Sequence, residues 1–189
     1  MIKLSPRAQL AVGLALVALM AMTRGQHFAS LNLPSASWAV FFLAGVLLAP
    51  RWVFPALFVE ASLLDFVAIE WQGVSSYCVS PAYWMLVPAY GSLWFGGRIY
   101  ARLHRDHLSS LALLAGLVML SAFVCYLFSG GGFLFFSGRY PDPNLAQLAE
   151  RIGTYYPRYL GNLALYVGTA AVMFVGLRAW NAQRQGACA

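Results

Sequence analysis

Charge is what this sequence has least of. Among its 189 residues only 10% are Asp, Glu, Lys or Arg, six of them acidic, against 61% apolar and a mean hydropathy of +0.68. Soluble globular chains are about a quarter charged, so the polar groups here are too few to cover a water-soluble fold. A soluble domain is excluded, and lipid is the expected solvent. Histidine is scarce as well: the three present, His27, His104 and His107, lie outside the apolar runs, which leaves no facing pair to hold haem inside a bundle. The three cysteines, Cys78, Cys125 and Cys188, form no C-x-x-C pair, so neither a disulfide framework nor a zinc finger is indicated. No Gly-x-Ser-Gly element lies within an apolar run, which disfavours serine-histidine intramembrane proteolysis, and there is no Walker A sequence, so any ATP hydrolysis must come from other proteins.

What is present is a series of apolar runs edged by single arginines. A spanning helix takes about 20 residues, so six would use roughly 120 positions and leave the rest for loops and ends. The runs fall at about 8–23, 35–49, 52–70, 81–100, 108–128 and 159–180, which predicts an all-α integral-membrane bundle of six spans in a single domain, 1–189. The first could be mistaken for a signal peptide, but Ala21, Met22 and Thr23 make a poor cleavage site and Arg24 follows at once, so a retained span is expected. The second, between Pro34 and Pro50, is short and expected to be tilted or partly sunk. A long outer loop, 129–158, holds the Gly130–Gly132 run, read as a hinge, and a short amphipathic helix at about 145–152. That helix is marked by Asn144 followed by Gln147 and by Leu145, Leu148 and Ile152 at helical spacing. Such a loop is either a lid or a plain connector.

The net charge of +6 reads as topology anchors, not as a nucleic-acid patch. Eight of the twelve Lys and Arg fall on the side shared by both termini and the second and fourth loops, and four on the other. The positive-inside bias therefore places both termini in the cytoplasm. His27, Cys78 and the long loop then share the outer side, with Asp65 in the outer part of the third span.

An ionisable group in the hydrocarbon region costs at least about 2.5 kcal/mol unless it is paired or faces a wet cavity, so Glu60 and Asp65 need partners. Five helical positions turn about 140° from one to the other, so they serve different ends. Asp65 is the site candidate, with an interhelical pair to Arg24 or Arg151 as the competing reading. Glu60 is expected to hydrogen-bond a neighbouring helix. Cys78 sits in a short polar loop just before Pro81 opens a helix, where the dipole favours thiolate. There it could be a soft metal ligand, a nucleophile or idle. Cys125 reads as a small buried hydrophobe. Tyr77, Tyr83, Trp84, Tyr140, Tyr155, Tyr156 and Tyr159 fall in or beside outer loops, where they serve either an interfacial belt or a ligand pocket.

Six short spans, Ala11-x-x-x-Ala15 in the first, and an outward pocket resemble the substrate-binding S-components of energy-coupling-factor (ECF) vitamin transporters. More narrowly, the chain resembles the BtuM family of cobalamin transporters. The matching residues are Cys78 and Tyr83 within SSYCVSPAYW, His27 after the first span, Asp65 in the third and Arg151 before the sixth. The resemblance covers the whole chain, and its specificity rests mainly on Cys78, because small-x-x-x-small patterns recur in any membrane helix. It implies that cobalamin (vitamin B12) enters from the periplasmic face and that the Cys78 sulfur takes an axial position on cobalt, as the metal ligand. It further implies decyanation of cyanocobalamin with Cys78 as the reactive, catalytic group. Asp65, Tyr83 and Arg151 would hydrogen-bond the ligand, with Tyr77 and Tyr155 as further contacts and His27 as either a neighbouring polar contact or an alternative ligand. The partners implied are a shared transmembrane subunit and two ATPases, docking on the small-residue face Ala11, Gly13, Ala15 and Ala18. Two alternatives stand beside this: an S-component for a different vitamin, and an integral-membrane enzyme with Cys78 as nucleophile and His27 as base.

Overall fold

In the computed structural model, which describes residues 4–24, 34–72, 80–105, 107 and 109–186, every regular element is helical. The elements are α1 (Pro6–Arg24), α2 (Ser37–Leu47), α3 (Val53–Gln72), a 3-10 turn (Pro81–Met85) leading into α4 (Leu86–Leu103), and α5 (Ser109–Tyr126). A π-helical stretch (Leu127–Gly131) then joins α5 to α6 (Gly132–Phe136), and α7 (Leu145–Gly186) follows. Three helical segments, Pro6–Arg24, Ser109–Phe136 and Leu145–Leu177, are long and apolar enough to cross a membrane. Each apolar run of the sequence holds a helix.

The centre of the bundle is α2. Nearly all its residues are buried, Phe41 and Phe42 completely, so the short second run is a core helix. It lies tightly against α4 because both backbones carry glycine at the contact. A Cβ on Gly45 would strike the Trp94 carbonyl, and one on Gly97 the Phe42 carbonyl. Around this pair α1, α3, α5 and α7 turn large apolar side chains outward, among them Leu14, Phe66, Leu120 and Val172, the inverse of a water-soluble surface. Cys125 is fully buried, as expected of a small hydrophobe.

α1 is started by Ser5, whose Oγ accepts from the Ala8 N–H at 3.3 Å, with Pro6 at the first helical position. At this end Gln9 accepts from the Ala49 N–H at 3.1 Å, and Arg98 donates to the Ala49 carbonyl at 2.7 Å. The opposite end holds Arg24, the start of α2, the 3-10 turn and the start of α7.

The long loop differs from expectation. Gly130–Gly132 is no hinge between span and loop: the helix runs through it, widening by one π turn, to Phe136. The glycines serve packing, since a Cβ on Gly130 would come within 2.9 Å of the Tyr126 ring and one on Gly132 within 2.7 Å of Met85. The expected short helix does start where the sequence puts it, with the Asn144 side chain accepting from the Gln147 N–H at 3.0 Å. It then continues without a break through Pro157 into the last long helix, so 145–152 and 159–180 are parts of one rod, α7.

Candidate functional site

Two polar groups occupy the Arg24 end. The first is centred on the ion pair between α1 and α3. The Arg24 guanidinium meets Asp65 side-on, with Nε to Oδ1 and Nη2 to Oδ2 both at 2.7 Å. Its remaining nitrogen, Nη1, donates to Ser37 Oγ at 3.0 Å and to the Tyr90 hydroxyl at 2.9 Å. The Tyr83 hydroxyl donates to Asp65 Oδ2 at 2.9 Å. One guanidinium thus ties α1, α2, α3 and α4 together, and the carboxylate takes three hydrogen bonds from two side chains. The fork geometry suits Arg, whose planar donors match a carboxylate two at a time. Tyr90 is held in turn by stacking on Phe41, ring centroids 4.4 Å apart. Of the two partners left open for Asp65 by the sequence, the structure selects Arg24. Its side chain is 30% exposed, against 11% for Arg24, so the carboxylate keeps an open flank.

The second group surrounds Arg151 on α7. Its Nη1 donates to the Tyr140 hydroxyl at 3.0 Å, and its guanidinium lies over the rings of Tyr140 and Tyr155, 5.2 and 5.3 Å from their centroids. The Tyr126 hydroxyl fixes this turn by donating to the Arg151 carbonyl at 2.9 Å. Arg151 Nε is buried without a partner among the described residues. A cavity of about 380 Å³ opens here, lined by Tyr140, Gln147, Arg151 and Tyr155 among others. An aromatic-walled arginine with a spare donor suits an anionic group that offers two oxygens, such as phosphate.

The two groups are linked by packing, with no hydrogen bond between them among the described residues. The 3-10 turn carrying Tyr83 rests through Met85 on Gly132, and Leu148, one turn before Arg151, rests on Gly131. The glycine run is therefore the floor shared by both. His27, Tyr77 and Cys78 lie outside the described residues, as does Cys188. Among the described residues no cluster of three metal-ligating side chains occurs.

Sequence reasoning passed over Ser37 and Tyr90. The available signal was Arg24 itself, because a buried guanidinium with five donors needs more acceptors than one carboxylate supplies. The expectation for Glu60 is overturned. Both its carboxylate oxygens are shielded from solvent, and neither has a hydrogen-bond partner among the described residues. It faces a groove between α1 and α3, where the neighbouring side chains are almost all apolar. No known family model matches the chain, and no curated protein matches it.

Proposed function

We propose that the chain is a cobalamin carrier of the bacterial inner membrane, a six-span bundle of the ECF S-component type with both termini in the cytoplasm. In this reading it takes up the vitamin at the Arg24 end, with cobalt held by the Cys78 thiolate. The observation that carries the reading is the 2.9 Å bond from Tyr83 to Asp65. It joins two of the residues on which the resemblance to the BtuM family rests. Cys78 precedes Tyr83 by five residues, and five residues of extended chain reach at most about 18 Å.

The chemistry fits. Cobalt in a corrin favours a deprotonated sulfur, and a coordinating thiol gives up its proton outright. The sulfur would displace the vitamin's own base from one axial position. Asp65 and Tyr83 offer an acceptor and a hydroxyl to the amide side chains of the corrin, and Arg151 offers its donors to the phosphate of the nucleotide loop. Tyr155, with Tyr77 and His27, would complete the wall. Held opposite cyanide, the thiolate would also favour its loss from cyanocobalamin. Repeated turnover then needs an external reductant, and without one the reaction is stoichiometric. Ala11, Ala15 and Ala18 lie exposed along α1, a small-residue strip on which a partner transmembrane subunit with its ATPases could dock.

Purification after growth with cobalamin tests the reading. Wild-type protein should carry a corrin absorption spectrum shifted from that of free cobalamin, and Cys78→Ala should lose the shift. A colourless wild type would favour a different vitamin or a Cys78 nucleophile.

A further inference from the structure

The end of the bundle remote from the proposed vitamin site carries a second feature. Between α1 and α3 runs an open groove of about 630 Å³, walled by residues such as Leu10, Gly13, Leu14, Ala56 and Leu57. Along α1 it extends from Pro6 to Val17, eleven helical steps or about 16 Å. That is about half of a hydrocarbon core of about 30 Å, the depth of one leaflet. Gly13 keeps the groove open: a Cβ there would find only the Leu48 Cδ1, at 3.8 Å.

The groove's lip, at the end of the bundle where α1 begins, is basic. Arg98 donates to the carbonyl of Ala49, a lining residue, and its guanidinium lies 4.8 Å from the Trp94 ring centroid. Arg51 and Arg102 stand close enough for their charges to act on Arg98. Arg7, next to Pro6 at the lip, is exposed. None of the four forms an ion pair among the described residues, where the pair recorded is Arg24 with Asp65. The one carboxylate of the groove, Glu60, lies seven residues beyond Val53, about 10 Å deeper. The lip is therefore positive and the body apolar.

We infer that this groove binds an anionic phospholipid of the surrounding leaflet, one acyl chain lying between α1 and α3 and the phosphate resting on Arg51 and Arg98. The pattern is a basic pocket between membrane helices, the arrangement that selects acidic headgroups. The occupant is set by the two halves together: the apolar furrow suits an acyl chain, and the guanidinium groups at the lip, unpaired among the described residues, suit an anionic headgroup. The site stands whatever the opposite end of the bundle carries.

Trp52 lines the groove and is 69% exposed, so it reports on an occupant. The full-length protein is reconstituted into phosphatidylcholine vesicles holding a fixed fraction of chain-brominated lipid, and the Trp52 contribution is isolated as wild type minus Trp52→Phe. Brominated phosphatidylglycerol should associate with the site more tightly than brominated phosphatidylcholine by about five-fold for each guanidinium engaged. The preference should shrink at high salt. Arg51→Gln with Arg102→Gln, which spares the Arg98 bond to Ala49, should cut the preference about five-fold, the share of Arg51, while circular dichroism stays helical. Gly13→Leu should reduce quenching by both lipids. Equal quenching by the two lipids, an unchanged preference in the double variant, or preference for a cationic lipid would each overturn the assignment.

Discussion

Asp65 and Glu60 stand on one helix, a turn and a half apart, and the bundle treats them in opposite ways. Asp65 has a two-toothed guanidinium and a phenol, each within 3 Å. Glu60 has nothing. The partnered acid belongs to the end where polar residues of α1, α2, α3 and α4 converge, and the unpartnered one to the apolar furrow near mid-bundle. Burial of charge in lipid is tolerated where it is fully compensated and is a cost elsewhere. Asp65 thus sits in a built site, and Glu60 marks a place whose polarity the fold itself does not use.

The contrast can be broken at its strong side first. Arg24→Ala leaves the Asp65 carboxylate, Ser37 and Tyr90 without their shared donor. It should cost about 3 kcal/mol, near the lower figure for breaking a buried pair because Asp65 is partly open, read as a fall in unfolding midpoint in detergent. Replacing both partners, Arg24→Leu with Asp65→Leu, should recover most of that loss. Loss of ligand binding in this stable double variant would show that the Arg24–Asp65 pair serves the ligand and not only the fold. Tyr83→Phe removes one bond to a charged oxygen and should cost about 1.5 kcal/mol. The smallest effect has the opposite sign. Glu60→Leu removes a carboxyl without a hydrogen-bond partner among the described residues and should raise stability by about 1 kcal/mol. A marked fall would mean that Glu60 has a partner after all.

The helices were legible because hydropathy marks them, and each apolar run holds one. Their ends were less so. Gly130–Gly132 reads as a break by composition, yet here the glycines let Tyr126 and Met85 pack closely, and the helix continues. Pro157 reads as a boundary for a similar reason, but α7 passes through it, and membrane helices accept proline when neighbours satisfy the freed backbone. The partners of charged groups were the least legible. Arg24 and Asp65 are separated by 41 positions and Arg24 and Tyr90 by 66, and nothing local in the sequence specifies which of two arginines will face the acid. Arg151 could be singled out, but its setting between Tyr140 and Tyr155 depends on how α6 turns back onto α7.

The central claim is that sulfur from Cys78 caps the cobalt of the bound vitamin, and the most direct measurement is X-ray absorption at the cobalt edge of purified, cobalamin-loaded protein. The wild type should show one sulfur scatterer in the first coordination shell, absent in Cys78→Ala. A shell of nitrogen, oxygen or carbon alone in the wild type would contradict the account.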